Sequence, residues 1–384
     1  MKILFIKEQR SPTGIEGIGI YLLNVCIELN KLKVPYLILY NAEDELYKKM
    51  LVNNINVRIV DFLLNSAKNM FQYKKVQTAQ KLIYKIIKNE NITHVNVHFP
   101  YLLQLVKKEW NIPIIVHWHG AFINNKPAPY LYLKDILSPR KLLTSIYNKK
   151  VAFNFDKADM VICPGIAAKN TASEYFKVPS NKIKINPYGV KEINTNDFKC
   201  LKNELGFKST DKIIISVGRE TKAKGVEDFC NVAMSLQHKT NYKFLFIGGY
   251  RDKNYHDELV ANYGHCVQFM GMRQNINDFY KTADLFLFLS HRESAGLVLA
   301  EAMYFSLPLV TWDIIGVNEM FKNENNGYLC KFGNIDDIKK SLVKVLDNKE
   351  IYSKFSKESL IEASNHTIDK STLELIELIE MCEK

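Results

Sequence analysis

The stretch "DLFLFLSHRESAGLVLAEAM" (Asp284–Met303) decides the reading of this chain. Its first half is a short Leu/Phe run, which predicts a buried strand ending near Leu289. Ser290–Ser294 is polar and predicts a turn. A helix is expected to begin near Ala295 or Gly296, because apolar residues then recur at helical spacing. A strand feeding a helix is the unit of an open parallel sheet, in which ligands bind beyond the carboxyl ends of the strands. Glu293 then stands just before the helix. Glu301, eight residues further on, lies about 12 Å along it. Two acids so spaced suit two parts of one extended polar ligand, and the amides of Ala295, Gly296 and Leu297 would face an anion between them. A capping acid and a glutamate on an exposed helix flank account for the same pattern.

The unit recurs along the chain. "KILFI", "PYLILY", "VRIVDF", "HVNVHF", "IPIIVHW" and "DMVICP" read as strands separated by helical stretches. After about residue 200 a second series begins with "KIIISVG", "KFLFIGG", "HCVQFMG", "DLFLFLS" and "LPLVTW". Two such series in 384 residues predict an α/β protein of two Rossmann-like, doubly wound domains. Proline, glycine and polar residues cluster in "INPYGVKEINTNDFK" (Ile185–Lys199), so the domains are expected to span 1–188 and 189–365. The terminal helical segment, 366–384, is expected to pack back on the first.

Composition narrows the function classes. Apolar residues make up 47% and charged residues 24%, a globular balance. "MKILFIKEQR" has too short an apolar run for a signal peptide, and no run approaches the roughly 18 residues of a membrane span. Seven scattered cysteines without CxxC spacing argue against a disulfide framework or zinc site and fit a reducing cytoplasm. The net charge of +11 is uneven: residues 1–190 hold 27 Lys+Arg against 13 Asp+Glu, and the remainder 25 against 28. An anionic partner is therefore expected for the first half only.

Three further motifs follow strands. "SVGRETKAKGVEDF" (Ser216–Phe229) carries Arg219 and Lys224 in the loop before a helix, where a diphosphate needs cations. "SPTGIEGIGIYLLN" (Ser11–Asn24) has Gly14, Gly17 and Gly19, which allow close backbone approach to a ligand or serve a structural turn. "PIIVHWHGAF" (Pro113–Phe122) places His119 just past a strand end, with His117 alternating with it and better read as a core residue.

Taken together, these residues resemble the retaining family 4 glycosyltransferases of the GT-B fold, over nearly the whole chain and in order. The E-x7-E element is Glu293 to Glu301. "GR-x4-KG" is Gly218–Gly225. "EGIGIY" (Glu16–Tyr21) is similar to the family's "GGIGRY" loop, "VHWHG" (Val116–Gly120) to its "xxxHG" strand end, and "INPYGV" (Ile185–Val190) to its "IPNGV" linker. The resemblance implies two domains facing across a deep cleft, a UDP- or GDP-sugar donor held mainly by the C-terminal domain, and acceptor binding by the N-terminal one. Glu301 would bind the ribose, Glu293 the transferred sugar, and Arg219 and Lys224 the leaving diphosphate. Gly17 and the amides of Ala295, Gly296 and Leu297 would help hold the donor, and His119 would approach the sugar. No cofactor is implied, and the lack of a DxD motif fits metal independence. Glu16, Ala295, Tyr188 and Lys191 depart from the family's usual residues and bear on donor identity.

The acceptor side is basic. "NSAKNMFQYKKVQTAQKLIYKIIKNE" (Asn65–Glu90) and "PYLYLKDILSPRKLLTSIYNKK" (Pro129–Lys150) interleave lysines with apolar and aromatic residues. Such stretches suit an anionic membrane surface, and with it a saccharide or lipid-linked saccharide acceptor in bacterial surface-polysaccharide synthesis. A cytoplasmic enzyme, peripheral on the inner face of the membrane, is the expectation. Helices that pack their apolar faces inward and solvate their lysines give the same pattern. Two other functions compete: a GT-B nucleotide-sugar epimerase, and a non-enzymatic basic scaffold for membrane or nucleic acid. A dehydrogenase is disfavoured because "GIEGIG" lacks the G-x-G-x-x-G spacing, and no nucleic-acid-binding pattern is present.

Overall fold

A computed structural model describes residues 1–9, 17–61, 73–120 and 155–382. The chain divides into two compact units, Met1–Gly189 with Ile368–Lys384, and Val190–Thr367.

In the first unit the strands are β1 (Ile3–Lys7), β2 (Tyr36–Tyr40), β3 (Val57–Ile59), β4 (His94–Val97), β5 (Ile114–His117), β6 (Met160–Cys163) and β7 (Ile183–Ile185). They form one parallel sheet in the order β3-β2-β1-β4-β5-β6-β7. Its helices include α1 (Gly17–Lys31), α2 (Glu45–Val52), α3 (Tyr73–Asn89) and α4 (Ile166–Asn170). Both faces of the central strands are covered, which is why β1 and β2 are buried at every position. Helix α3 turns Ala79, Ile83, Ile86 and Ile87 onto the sheet and leaves Lys74, Lys81, Leu82, Tyr84, Lys85 and Lys88 exposed.

The second unit repeats the plan. Strands β8 (Lys212–Val217), β9 (Tyr242–Ile247), β10 (Val267–Phe269), β11 (Leu285–Phe288), β12 (Leu309–Trp312) and β13 (Gly327–Cys330) pair in parallel in the order β10-β9-β8-β11-β12-β13. Helices α5 (Val226–Ser235), α6 (Lys253–Tyr263), α7 (Ile276–Thr282), α8 (Leu297–Tyr304), α9 (Ile335–Asp347) and α10 (Lys349–Ala363) connect and cover them. The last helix, α11 (Ile368–Glu380), belongs to the first unit and packs against α1. Strand order reverses beside β1 and β4 in one sheet and beside β8 and β11 in the other. Crossover connections leave such neighbours in opposite directions and open a crevice at their carboxyl ends. The two edge strands β7 and β13 were not expected from the sequence. Both are short, and β7 buries only Ile183 of its three residues.

Among the described residues no helix is long and apolar enough to cross a membrane.

One backbone contact fixes the crevice of the second unit. Gly225 has φ +64°, and a Cβ there would lie 1.8 Å from the Leu289 carbonyl oxygen. Gly206 has φ +72° with nothing within 4 Å. Gly206→Ala should therefore cost about 1 kcal/mol, the left-handed penalty alone. Gly225→Ala should cost at least about 2 kcal/mol more, because backbone must move as well. Urea unfolding of both variants checks this, and equal losses would show that the loop yields freely.

Candidate functional site

The opening sequence folds as strand, turn and helix. Strand β11 ends at Phe288, the turn runs to Ala295, and α8 starts at Leu297 with Gly296 as its cap at φ +56°. The turn is tied down from several sides. Ser290 Oγ donates to the carbonyls of Ala223 and Arg292, and the His291 amide donates to Ala223 as well. His291 Nε2 lies 2.8 Å from Asp228 Oδ2, which also accepts from Trp312 Nε1. Gly316 abuts the Glu293 carbonyl, where a Cβ would come within 2.3 Å.

These ties bring two sequence-predicted residues together. Lys224 Nζ donates to Glu293 Oε2 at 2.7 Å, both side chains largely shielded from solvent. The other carboxylate oxygen of Glu293 accepts the Ser294 amide at 3.0 Å. Burial opposes ionisation of Glu293, but Lys224 and the amides of Ser294 and Gly296 outweigh it and hold the carboxyl below its usual range. Lys224 was read from sequence as a cation for a diphosphate; it is also the counter-ion of Glu293.

Arg219 follows β8, is exposed, and forms no ion pair among the described residues. Ala295 and Gly296 are buried at the amino end of α8, and Leu297 is half-buried. Glu301 sits two turns into α8, half-buried, and accepts from the Tyr280 hydroxyl at 2.9 Å. Burial raises its pKa to about 7, against the lowering effect of that hydrogen bond. Nothing in the sequence flagged Tyr280, which lies 21 residues away on α7.

In the first unit His119 follows β5 and is buried, with its Nδ1 bonded to the Tyr188 hydroxyl. Tyr188 packs on Tyr21 with ring centroids 4.2 Å apart. Tyr21 donates to Asn186 Oδ1 at 3.1 Å, and Asn186 Nδ2 donates to the Ser371 carbonyl of α11 at 3.0 Å. The terminal helix thus braces the residues around His119. His117 is buried as well, in contact with His98. Gly17 opens α1. Gly14 and Glu16 of the glycine-rich turn, and Pro129–Lys150 of the basic stretches, lie outside the described residues.

The raised pKa of Glu301 has a signed consequence. The folded state binds a proton at Glu301 more tightly than the unfolded chain does, so the contribution of this group to stability is full at low pH and is lost as pH rises between about 4.5 and 7. This group should remove about 3 kcal/mol over that window, and Glu301→Gln should abolish that part of the slope. Denaturant titrations at pH 5 and 7.5 test it; a slope unchanged by the substitution would assign the proton elsewhere.

The sequence profile described as Glycosyl transferases group 1 matches residues 197–360, and that described as Glycosyltransferase Family 4 matches residues 15–192. The N-acetyl-alpha-D-glucosaminyl L-malate synthase of Bacillus anthracis is 25% identical over 74% of this chain and 73% of its own length. The UDP-Gal:alpha-D-GlcNAc-diphosphoundecaprenol alpha-1,3-galactosyltransferase of Escherichia coli is 26% identical over 74% of each chain. Anabaena HepE, solved in complex with UDP and glucose, superposes with a TM-score of 0.77 over 99% of this chain and 100% of its own, at 15% identity. The α/β architecture of two parallel sheets is thus that of GT-B proteins, and the chain belongs to the group 1, family 4 glycosyltransferases.

Proposed function

We propose that this glycosyltransferase moves a sugar from a UDP- or GDP-sugar to a saccharide acceptor carried on a lipid, with retention of anomeric configuration and without a metal ion, in bacterial polysaccharide or glycoconjugate synthesis. The observation that carries the reading is the Lys224–Glu293 pair at 2.7 Å, held by buried backbone at the amino end of α8. It presents a cation and an ionised acid together, which suits a ligand with a diphosphate next to a sugar. Galactosyl transfer to a diphosphoundecaprenol-linked sugar in the Escherichia coli relative, and UDP bound to Anabaena HepE, support the donor and acceptor classes.

Each residue then has a chemical task. Charge builds on the leaving diphosphate as the glycosidic bond breaks. Fixed cations there lower the barrier more than they tighten substrate binding. Arg219 supplies an uncommitted guanidinium, and Lys224 bridges from Glu293. Glu293, kept ionised, accepts a hydroxyl of the transferred sugar. The amides of Ala295, Gly296 and Leu297 orient sugar and phosphate, and Gly17 admits the donor closely to backbone. Glu301 accepts the ribose hydroxyls, which favours its ionised form. His119 is the contribution of the N-terminal, acceptor-binding unit. The C-terminal unit binds the nucleotide sugar.

Arg219→Ala and Lys224→Ala should each lower kcat with the matched donor by about 10²-fold or more. Arg219→Ala should leave unfolding unchanged, since its side chain is exposed. Lys224→Ala should also destabilise the fold by stranding Glu293. Full turnover in either variant would remove that residue from the diphosphate site. EDTA should leave activity intact; loss restored by magnesium would overturn metal independence. A product of inverted anomeric configuration, read by NMR, would overturn retention.

The exposed lysines of α3, with Leu82 and Tyr84 among them, support docking of the first unit on an anionic cytoplasmic membrane surface. Each lysine near such a surface contributes about 1 kcal/mol. Co-sedimentation with liposomes should require anionic lipid, fall with salt, and weaken when Lys74, Lys75, Lys81 and Lys85 are changed to Gln. Equal binding to neutral and anionic liposomes, or none to either, would refute this docking.

A further inference from the structure

Strands β4 and β5 pair in the register Val95↔Ile114, Asn96↔Ile115, Val97↔Val116. One step further, that register sets His98 beside His117, and the two rings meet at 4.7 Å between centroids. His119 lies two residues beyond His117, so strand alternation returns it to the same side. Its ring stacks on His98 at 5.4 Å and stands 5.6 Å from His117. The three are 0%, 2% and 9% exposed, so this is an interior cluster and not a surface coincidence.

Hydrogen bonding explains His98 and His117 poorly. His117 Nδ1 and His98 Nε2 are 3.4 Å apart, long for a hydrogen bond. Their remaining nitrogens, His98 Nδ1 and His117 Nε2, are buried without a partner among the described residues. A buried polar atom without a partner costs about 1–3 kcal/mol and needs an explanation, of which a bound ion is one. One ring nitrogen from each of the three histidines can be chosen so that all lie within 4.8 Å of one another.

We propose that His98, His117 and His119 form a site for a first-row transition metal ion of the zinc type, and that loading it withdraws His119 from sugar transfer. Three neutral imidazoles with room for one further ligand make up a recurrent zinc donor set. Nitrogens bound to one tetrahedral ion at about 2.0–2.1 Å stand roughly 3.3 Å apart, so the rings need to close by up to about 1.5 Å. Metal ligation needs unprotonated rings. The Lys7 ammonium, bonded to the Glu8 carbonyl at 2.8 Å, is a nearby positive charge that opposes a divalent ion. The ion does not serve the diphosphate, whose charge falls to Arg219 and Lys224 of the other unit.

The inhibitory half rests on the His119 role proposed above; the binding half does not, and the two are read separately. Cobalt(II) is titrated into the untagged, full-length protein and followed by its d–d absorption. One equivalent should bind with the intensity of a four-coordinate ion, and His98→Gln and His117→Gln should each abolish stoichiometric binding while keeping the wild-type unfolding midpoint. X-ray absorption of the zinc-loaded wild type should show three imidazole nitrogens in the first shell, which tests the site even where a variant fails to fold. No stoichiometric binding, or binding indifferent to both substitutions, overturns the site. Zinc should suppress transfer in the wild type, EDTA should restore it, and His98→Gln should transfer sugar regardless of zinc. Stoichiometric binding with undiminished transfer would keep the metal site and overturn the withdrawal of His119.

Discussion

The second unit is organised around the place where Gly225 presses on the Leu289 carbonyl. Only a residue without a Cβ fits there, and its positive φ turns the loop after β8 into α5. The contact draws the β8 loop onto the β11 loop at the reversal of strand order. His291 and Ser290 then bond to the Ala223 carbonyl, and Lys224 arrives within 2.7 Å of Glu293. Lys224 and Glu293 are 69 residues apart in the chain. Their meeting is a product of topology, and a single glycine sets how closely the two loops approach.

The two acids of the E-x7-E element end up electrostatically unlike, although burial opposes ionisation of both. Glu293 has an ammonium and two amides to offset it, and stays ionised. Glu301 has one phenolic hydroxyl, and its pKa rises to about 7. Acids whose surroundings push their pKa values apart are suited to different tasks. In the proposed reaction Glu293 is a fixed negative charge. Glu301, with its pKa raised to about 7, is the acid of the pair that exchanges a proton near neutral pH.

Much of this was legible in the sequence because periodicity reports burial directly. The β11–turn–α8 unit, the second strand series and the terminal helix follow from runs of apolar residues and the spacing between them. Strands β7 and β13 did not: "IKI" is a three-residue edge strand with one buried position, and "GYLC", though mostly buried, is only four residues long. In the site, spacing put Arg219, Lys224, Glu293 and Glu301 at the carboxyl ends of strands or on the helix that follows. It could not show which of them would pair. Tyr280, the partner of Glu301, and Tyr188, the partner of His119, are set by tertiary packing across 21 and 69 residues. His98 was within reach, because a histidine just past β4 and another ending β5 become neighbours once the strands are aligned.

Charge distribution limits how the proposed donor can be held. The +11 of the whole chain comes from its first half, while the second unit, residues 190–367, carries 23 basic against 23 acidic side chains. The unit assigned to an anionic nucleotide sugar therefore offers no long-range positive field. Attraction has to come from a few groups fixed at contact distance: Arg219, Lys224, and the amides at the start of α8. Of these, Lys224 is already balanced by Glu293, whereas Arg219 forms no ion pair among the described residues. Contact-range charges are screened by salt far less than a diffuse field is. Donor recognition of the kind proposed for this unit accordingly rests on geometry and local desolvation, whereas the proposed attraction of the basic first unit to an anionic surface is long-range and salt-sensitive.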